Sequence, residues 1–159
     1  VEDWVYKGGL PSNVPQPQSS RLNRAEAQVQ AWNAGAAAGQ LDVEGWSTQQ
    51  WDYFLTHIKK DLAAARLADL NATFSFYKSN GIVQRAWYQL VINNAWKPGY
   101  KPMEDFLIHV GRRWLVRPLY ADLAKSDWGI DFAHRVYAEA RPGYHPHPVQ
   151  SIDTTLDWE

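Results

Sequence analysis

Apolar residues recur along this chain at helical spacing, and no stretch alternates with period two for long enough to compete as a sheet. From Ser20, read as an N-cap, Leu22, Ala25, Val29 and Trp32 mark a first helix, until Gly35 and the Ala/Gly run loosen the pattern. Ser47 with Gln50 three residues on forms a capping box, and Trp51, Phe54, Leu55 and Ile58 then fall at i, i+3, i+4 and i+7, which predicts a second helix. Ala63, Leu67 and Leu70 predict a third, ending near Asn71. After the turn-like Lys78-Ser79-Asn80-Gly81, a broad stripe of Val83, Ala86, Trp87, Leu90 and Val91 runs toward Lys97-Pro98-Gly99. Met103, Phe106, Leu107 and Val110 repeat the spacing before Gly111, and Ile130, Ala133, His134 and Tyr137 do so after Ser126-Asp127. Between these two lies a segment from Arg112 to Lys125, in which Pro118 either sits in an early turn or kinks the helix.

About six or seven helices of roughly 10 to 17 residues, joined by short links, are expected to pack as antiparallel pairs in a two-layer stack, so the fold class is all-α. Residues 20–159 read as one such domain. Residues 1–19, with Gly8, Gly9, Pro11, Pro15 and Pro17, read as an extended linker. No self-similar period of roughly 33 to 47 residues appears, so spacing by itself does not define a repeat array.

The 159 residues, 45% of them hydrophobic and nine of them Trp, suffice for one substantial core. A formal charge of −1 supplies no basic field to draw nucleic acid or an anionic membrane, so neither partner is expected. No apolar run approaches the roughly 18 residues that span a bilayer. The absence of cysteine removes disulfides and thiolate metal sites, and with them any choice between cytoplasm and periplasm from redox usage. The chain opens at Val1 and its only Met is Met103, which reads as a fragment of a longer protein or a processed product.

Catalytic signatures are missing. Two imidazoles of a His-Glu-x-x-His helix would stand one turn apart on a zinc ion, yet none of His57, His109, His134, His145 and His147 has a His partner at i+4. His145-Pro146-His147 is the only close pair; with prolines flanking and no carboxylate nearby it reads as a rigid, partly exposed loop. No Gly-x-Ser-x-Gly elbow or Gly-rich phosphate loop is present, and Asp61 and Glu104-Asp105 read as solvated helix faces or dipole-complementing charges. Neither catalytic nor metal-ligating residues are assigned, and no cofactor is expected within this chain. The cationic cluster Arg112, Arg113 and Arg117 differs, because guanidinium groups hold carboxylates through paired hydrogen bonds. On residue chemistry alone, a brace to another helix competes with that role for Arg112. Arg113 and Arg117, at i and i+4, share a face turned from Arg112 and read as structural. Trp32, Trp51 and Trp87 lie on the apolar stripes as core rings, whereas Trp4 and Trp158 lie at the termini, where a neighbouring domain would cover them.

The stretch Gly111-Arg112-Arg113-Trp114-Leu115-Val116-Arg117-Pro118-Leu119-Tyr120, continuing into Ala121-Asp122-Leu123-Ala124, resembles the C-terminal helical domain of the leukotriene A4 hydrolase family of zinc aminopeptidases. Trp4-Val5-Tyr6-Lys7-Gly8-Gly9-Leu10-Pro11, Ser47 to Leu55, Arg85-Ala86-Trp87 and His147-Pro148-Val149 follow in that family's order. The resemblance implies a HEAT- or armadillo-like right-handed α-α superhelix, joined through residues 1–19 to a catalytic domain that carries the zinc and acts on short peptides. It implies a non-catalytic wall of the peptide cleft, with Arg112 as the anchor of the substrate's C-terminal carboxylate. Trp114 stands where animal members carry an assisting lysine, so one positive charge is replaced by an indole. The implied partners are the N-terminal and catalytic domains of the same polypeptide and short peptides. A stand-alone helical adaptor that binds a peptide or protein in the groove of its stack is the alternative.

Overall fold

The computed structural model describes residues 20–158. The expected linker at residues 1–19, including Trp4, lies outside the described residues. Eight α-helices order the described chain: α1 Ser20–Asn33, α2 Thr48–His57, α3 Ala64–Phe74, α4 Gly81–Asn93, α5 Tyr100–His109, α6 Arg113–Leu123, α7 Asp127–Ala140 and α8 Pro146–Leu156. Short 3-10 turns at Ala38–Gln40, Phe76–Lys78, Lys97–Gly99 and Arg141–Gly143 join several of them, and no strand occurs among the described residues.

Local chemistry sets the helix ends. The Ser47–Gln50 capping box is formed: the Ser47 hydroxyl accepts from the Gln50 N–H at 3.4 Å, and the Gln50 amide oxygen accepts from the Ser47 N–H at 3.1 Å. Gln50 is buried, and its amide nitrogen also donates to the Arg21 carbonyl at 3.0 Å, so the cap of α2 is tied to α1. Asn80 caps α4 by accepting from the Ile82 and Val83 N–H groups. α3 runs past Asn71 to Phe74, because Phe74 packs against Trp51 at 4.9 Å between centroids; Ser75 then turns left-handed at φ 49°.

Alternate helices make the layers. α2 touches α4, α4 touches α6 and α6 touches α8, giving one continuous layer; α1 covers α2, and α5 pairs with α7 on the other side. Tyr88 of α4 packs on Phe106 of α5 across the layers. Trp32, Trp87, Leu70, Met103, Leu119, Tyr120 and Tyr137 are among the fully buried side chains that fill the space between. Arg66 of α3 lays its guanidinium 3.2 Å over the Trp32 ring and donates to the Trp32 and Ala36 carbonyls at 2.7 Å each, which pins the α1–α3 corner. A Cβ on Gly129 would meet the Leu123 carbonyl oxygen at 2.2 Å; only glycine lets the first turn of α7 sit against the end of α6.

Two features depart from the sequence reading. The His145-Pro146-His147 segment is not a loop but the start of α8, with Pro146 in its first turn. Proline is tolerated there because first-turn N–H groups have no helical acceptor in any case. Pro148, Ile152 and Leu156 then bury one face. Trp158 packs inside this domain, 5.1 Å from the Tyr137 ring and 5.5 Å from His134, so no neighbouring domain is required to explain it. Pro118 lies inside α6, which continues through it; lacking an N–H, Pro118 leaves the Trp114 carbonyl without its helical donor.

Candidate functional site

The α5–α6 corner carries the residues singled out from the sequence. α5 stops at His109, Val110 is extended, and Arg112 occupies the N-cap position of α6 with φ −78° and ψ 110°. Its backbone carbonyl accepts from the Leu115 and Val116 N–H groups at 2.9 and 3.1 Å, while its side chain performs no capping. The Arg112 backbone is therefore fixed, and its guanidinium has no partner among the described residues.

Tyr144 holds this corner from beneath. Its ring carbon would stand 3.4 Å from a Cβ on Gly111, and its hydroxyl donates to the Leu107 carbonyl at the end of α5. The Tyr120 hydroxyl reaches the Tyr144 oxygen at 3.5 Å. Burial pushes the Tyr144 phenol up to about 12, and burial drives Tyr120 higher still, so both remain neutral donors throughout the physiological range. Next to them, the Tyr137 hydroxyl donates to Asp153 at 2.7 Å, and Arg141 grips the same carboxylate through Nε and Nη2 at 3.0 and 2.9 Å. The Arg141 hydrogen bond holds the Asp153 carboxyl below its ordinary range.

At the surface above this frame, Arg112, Arg113 and Trp114 are all exposed, and Trp114, at 53% exposure, is the most open large apolar side chain among the described residues. None of Arg112, Arg113 and Arg117 forms an ion pair among the described residues. Other arginines are answered: Arg24 by Asp42, Arg85 by Asp52, Arg135 by Glu104 and Arg141 by Asp153. A bracing salt bridge for Arg112 is thus not formed within the described chain. Arg113 and Arg117 do share a face, as their spacing required, and it is turned toward α8, where Arg113 Nε donates to Ser151 Oγ at 2.7 Å. With His147, Gln150, Ser151, Thr154 and Thr155 they line a groove of about 370 Å³ between α6 and α8. Apolar spacing does not announce this groove, because its α8 wall begins in the proline-flanked His145-Pro146-His147 segment that the sequence presents as a loop.

Among the described residues no group of three or more His, Asp or Glu side chains stands close enough to hold a metal ion. The described residues therefore supply no ligand set for a zinc ion. Glu104 is engaged by Arg135 and Lys101, so the Glu104-Asp105 pair serves helix contacts. No helix among the described residues is long and apolar enough to cross a membrane.

A two-layer all-α domain whose α5–α6 corner presents an arginine and an indole beyond its own core is the class that fold and site define. Residues 46–156 match the family described as leukotriene A4 hydrolase, C-terminal, and the chain belongs to that family. It is 29% identical over 153 residues to leucine aminopeptidase 2 of Ajellomyces capsulatus, covering 91% of this chain and 24% of the relative. To leucine aminopeptidase 2 of Pyricularia oryzae it is 26% identical over 152 residues, covering 91% and 24%. To aminopeptidase B of Mus musculus it is 24% identical over 164 residues, covering 96% and 25%. The chain spans about a quarter of the length of these relatives.

Proposed function

We propose that this domain forms one wall of the peptide cleft of an aminopeptidase, with Arg112 anchoring the substrate's C-terminal carboxylate. The reading rests on family membership over residues 46–156 and on one observation: Arg112 stands at the N-cap of α6, its carbonyl accepting the Leu115 and Val116 N–H groups, while its guanidinium has no partner among the described residues. A fixed backbone with a free, planar, permanently charged fork suits bidentate capture of a carboxylate. Trp114, two positions on, supplies an apolar surface in place of a second charge, which favours peptides with an apolar final side chain.

In this reading, the bond-breaking chemistry, and the zinc that the family implies for it, belong to a catalytic domain of the same polypeptide outside this chain. The contribution of residues 20–158 is to position and to select: a charge-assisted contact in a desolvated cleft is worth about 2 to 5 kcal/mol, enough to prefer a free acid over an amide. Hydroxyl-radical footprinting of the full-length polypeptide tests the placement directly. A bound, slowly cleaved peptide with a free carboxylate is expected to protect Trp114, and the amide of the same peptide to protect it less. Equal labelling of Trp114 with and without peptide would remove the corner from the cleft.

A further inference from the structure

The groove between α6 and α8 gathers positive charge and neutral polar groups. Its lining holds two guanidinium groups, an imidazole, an amide and three hydroxyls, and no carboxylate. Arg113 and Arg117 lie one turn apart on α6, where like charges repel unless an anion sits between them. Arg113 is held across the gap by its Nε bond to Ser151, and its two terminal nitrogens have no acceptor among the described residues. Arg117, the Gln150 amide and the His147 ring likewise have no side-chain partner among the described residues. The three hydroxyls have already given their hydrogens to backbone: Ser151 to the His147 carbonyl, Thr154 to Gln150 and Thr155 to Ser151, at 3.2, 3.0 and 2.8 Å. They form a polar floor, and the spare donors all come from the two arginines, Gln150 and His147.

We propose that this groove binds a small soluble phosphorylated molecule, with Arg113 and Arg117 clasping its phosphate group. Two permanent cations with no lining carboxylate match a dianion better than a single carboxylate, and guanidinium forks match phosphate oxygens in pairs. The groove volume of about 370 Å³ exceeds what a lone phosphate needs, leaving room for the organic part along Gln150, Thr154 and Thr155. The site is distinct from Arg112, whose side chain is not part of the lining.

The test is titration of the full chain with inorganic phosphate and with pyrophosphate, at constant ionic strength set with sodium chloride, read by calorimetry and by backbone amide shifts. Saturable binding is expected, tighter for pyrophosphate, with shifts concentrated at Ser151, Thr154 and Thr155. Arg117→Gln should weaken it at least tenfold, Arg117→Lys less, and Arg112→Ala should leave it unchanged. Arg117 is exposed, so these variants should melt with the wild type. Absence of saturable binding, or binding that survives Arg117→Gln, overturns the proposal; binding lost in Arg112→Ala alone would transfer it to the α5–α6 corner and equally overturn it.

Discussion

Replacing Tyr144 by Phe removes one oxygen and should reveal how the α5–α6 corner is held. The hydroxyl donates to the Leu107 carbonyl, one of the last carbonyls of α5, and receives Tyr120. Tyr144 is 8% exposed and Tyr120 and Leu107 are fully buried, so water cannot readily replace what is lost. A buried acceptor left without its donor costs about 1 to 3 kcal/mol. At about 2 to 4 °C per kcal/mol for a domain near this size, the Tm should fall by roughly 2 to 12 °C. The alkaline limb gives a second, independent reading. Burial raises the Tyr144 phenol from 10.0 to about 12 in the folded state. Below the unfolded value the group is neutral in both states and its stabilisation is fully present. Above it, only the unfolded chain ionises, so stability falls as pH rises from about 10 to 12, by roughly 2 to 3 kcal/mol for this group. Thermal unfolding followed by circular dichroism from pH 7 to 11 is the assay. Tyr144→Phe should start lower and decline less steeply than the wild type. A Tm within a degree of wild type at pH 7, together with an unchanged alkaline slope, would refute the tyrosine frame.

Other substitutions probe separate parts. Ser47→Ala removes the α2 cap and should cost about 1 kcal/mol in urea unfolding, whereas Gln50→Ala, which loses both its half of the capping box and the tie from its amide nitrogen to the Arg21 carbonyl of α1, should cost more, about 1 to 3 kcal/mol. Asp153→Asn breaks the clasp of Arg141 and Tyr137 on one carboxylate. Because that carboxyl is depressed in the folded state, its stabilisation is present above the ordinary carboxylate value and is lost as pH falls through the folded one. Wild type and Asp153→Asn should therefore differ in Tm at pH 7 and converge in acid; a constant gap down to the acid limb would contradict the pairing.

Helix by helix, the sequence was legible wherever apolar spacing and capping agreed. Ser47-x-x-Gln50 before Trp51 and Phe54 carries its own start signal, and the structure forms that cap. At α8 the signals conflicted: Pro146 and Pro148 weigh against helix by propensity, yet both fall in the first turn, where a missing N–H forfeits nothing. The spacing of Pro148, Ile152 and Leu156 was the available clue. Arg112 stood out because of its cluster and the family resemblance, but its lack of a partner among the described residues is a tertiary fact that no spacing encodes. The groove was hidden for the same reason, since Arg113 and Arg117 meet Ser151 only after α6 and α8 are brought together from about a quarter of the chain apart. Next-but-one packing, α2 on α4 on α6 on α8, likewise depends on long-range fit rather than on local pattern.

The anchor role of Arg112 is tested most directly by kcat/KM of the full-length polypeptide, wild type and Arg112→Ala, on one tripeptide with a free C-terminal carboxylate and on its amide. A loss of about 30-fold or more confined to the free acid, equivalent to about 2 kcal/mol, is the predicted result. Equal losses on both substrates, or no loss on either, would contradict it.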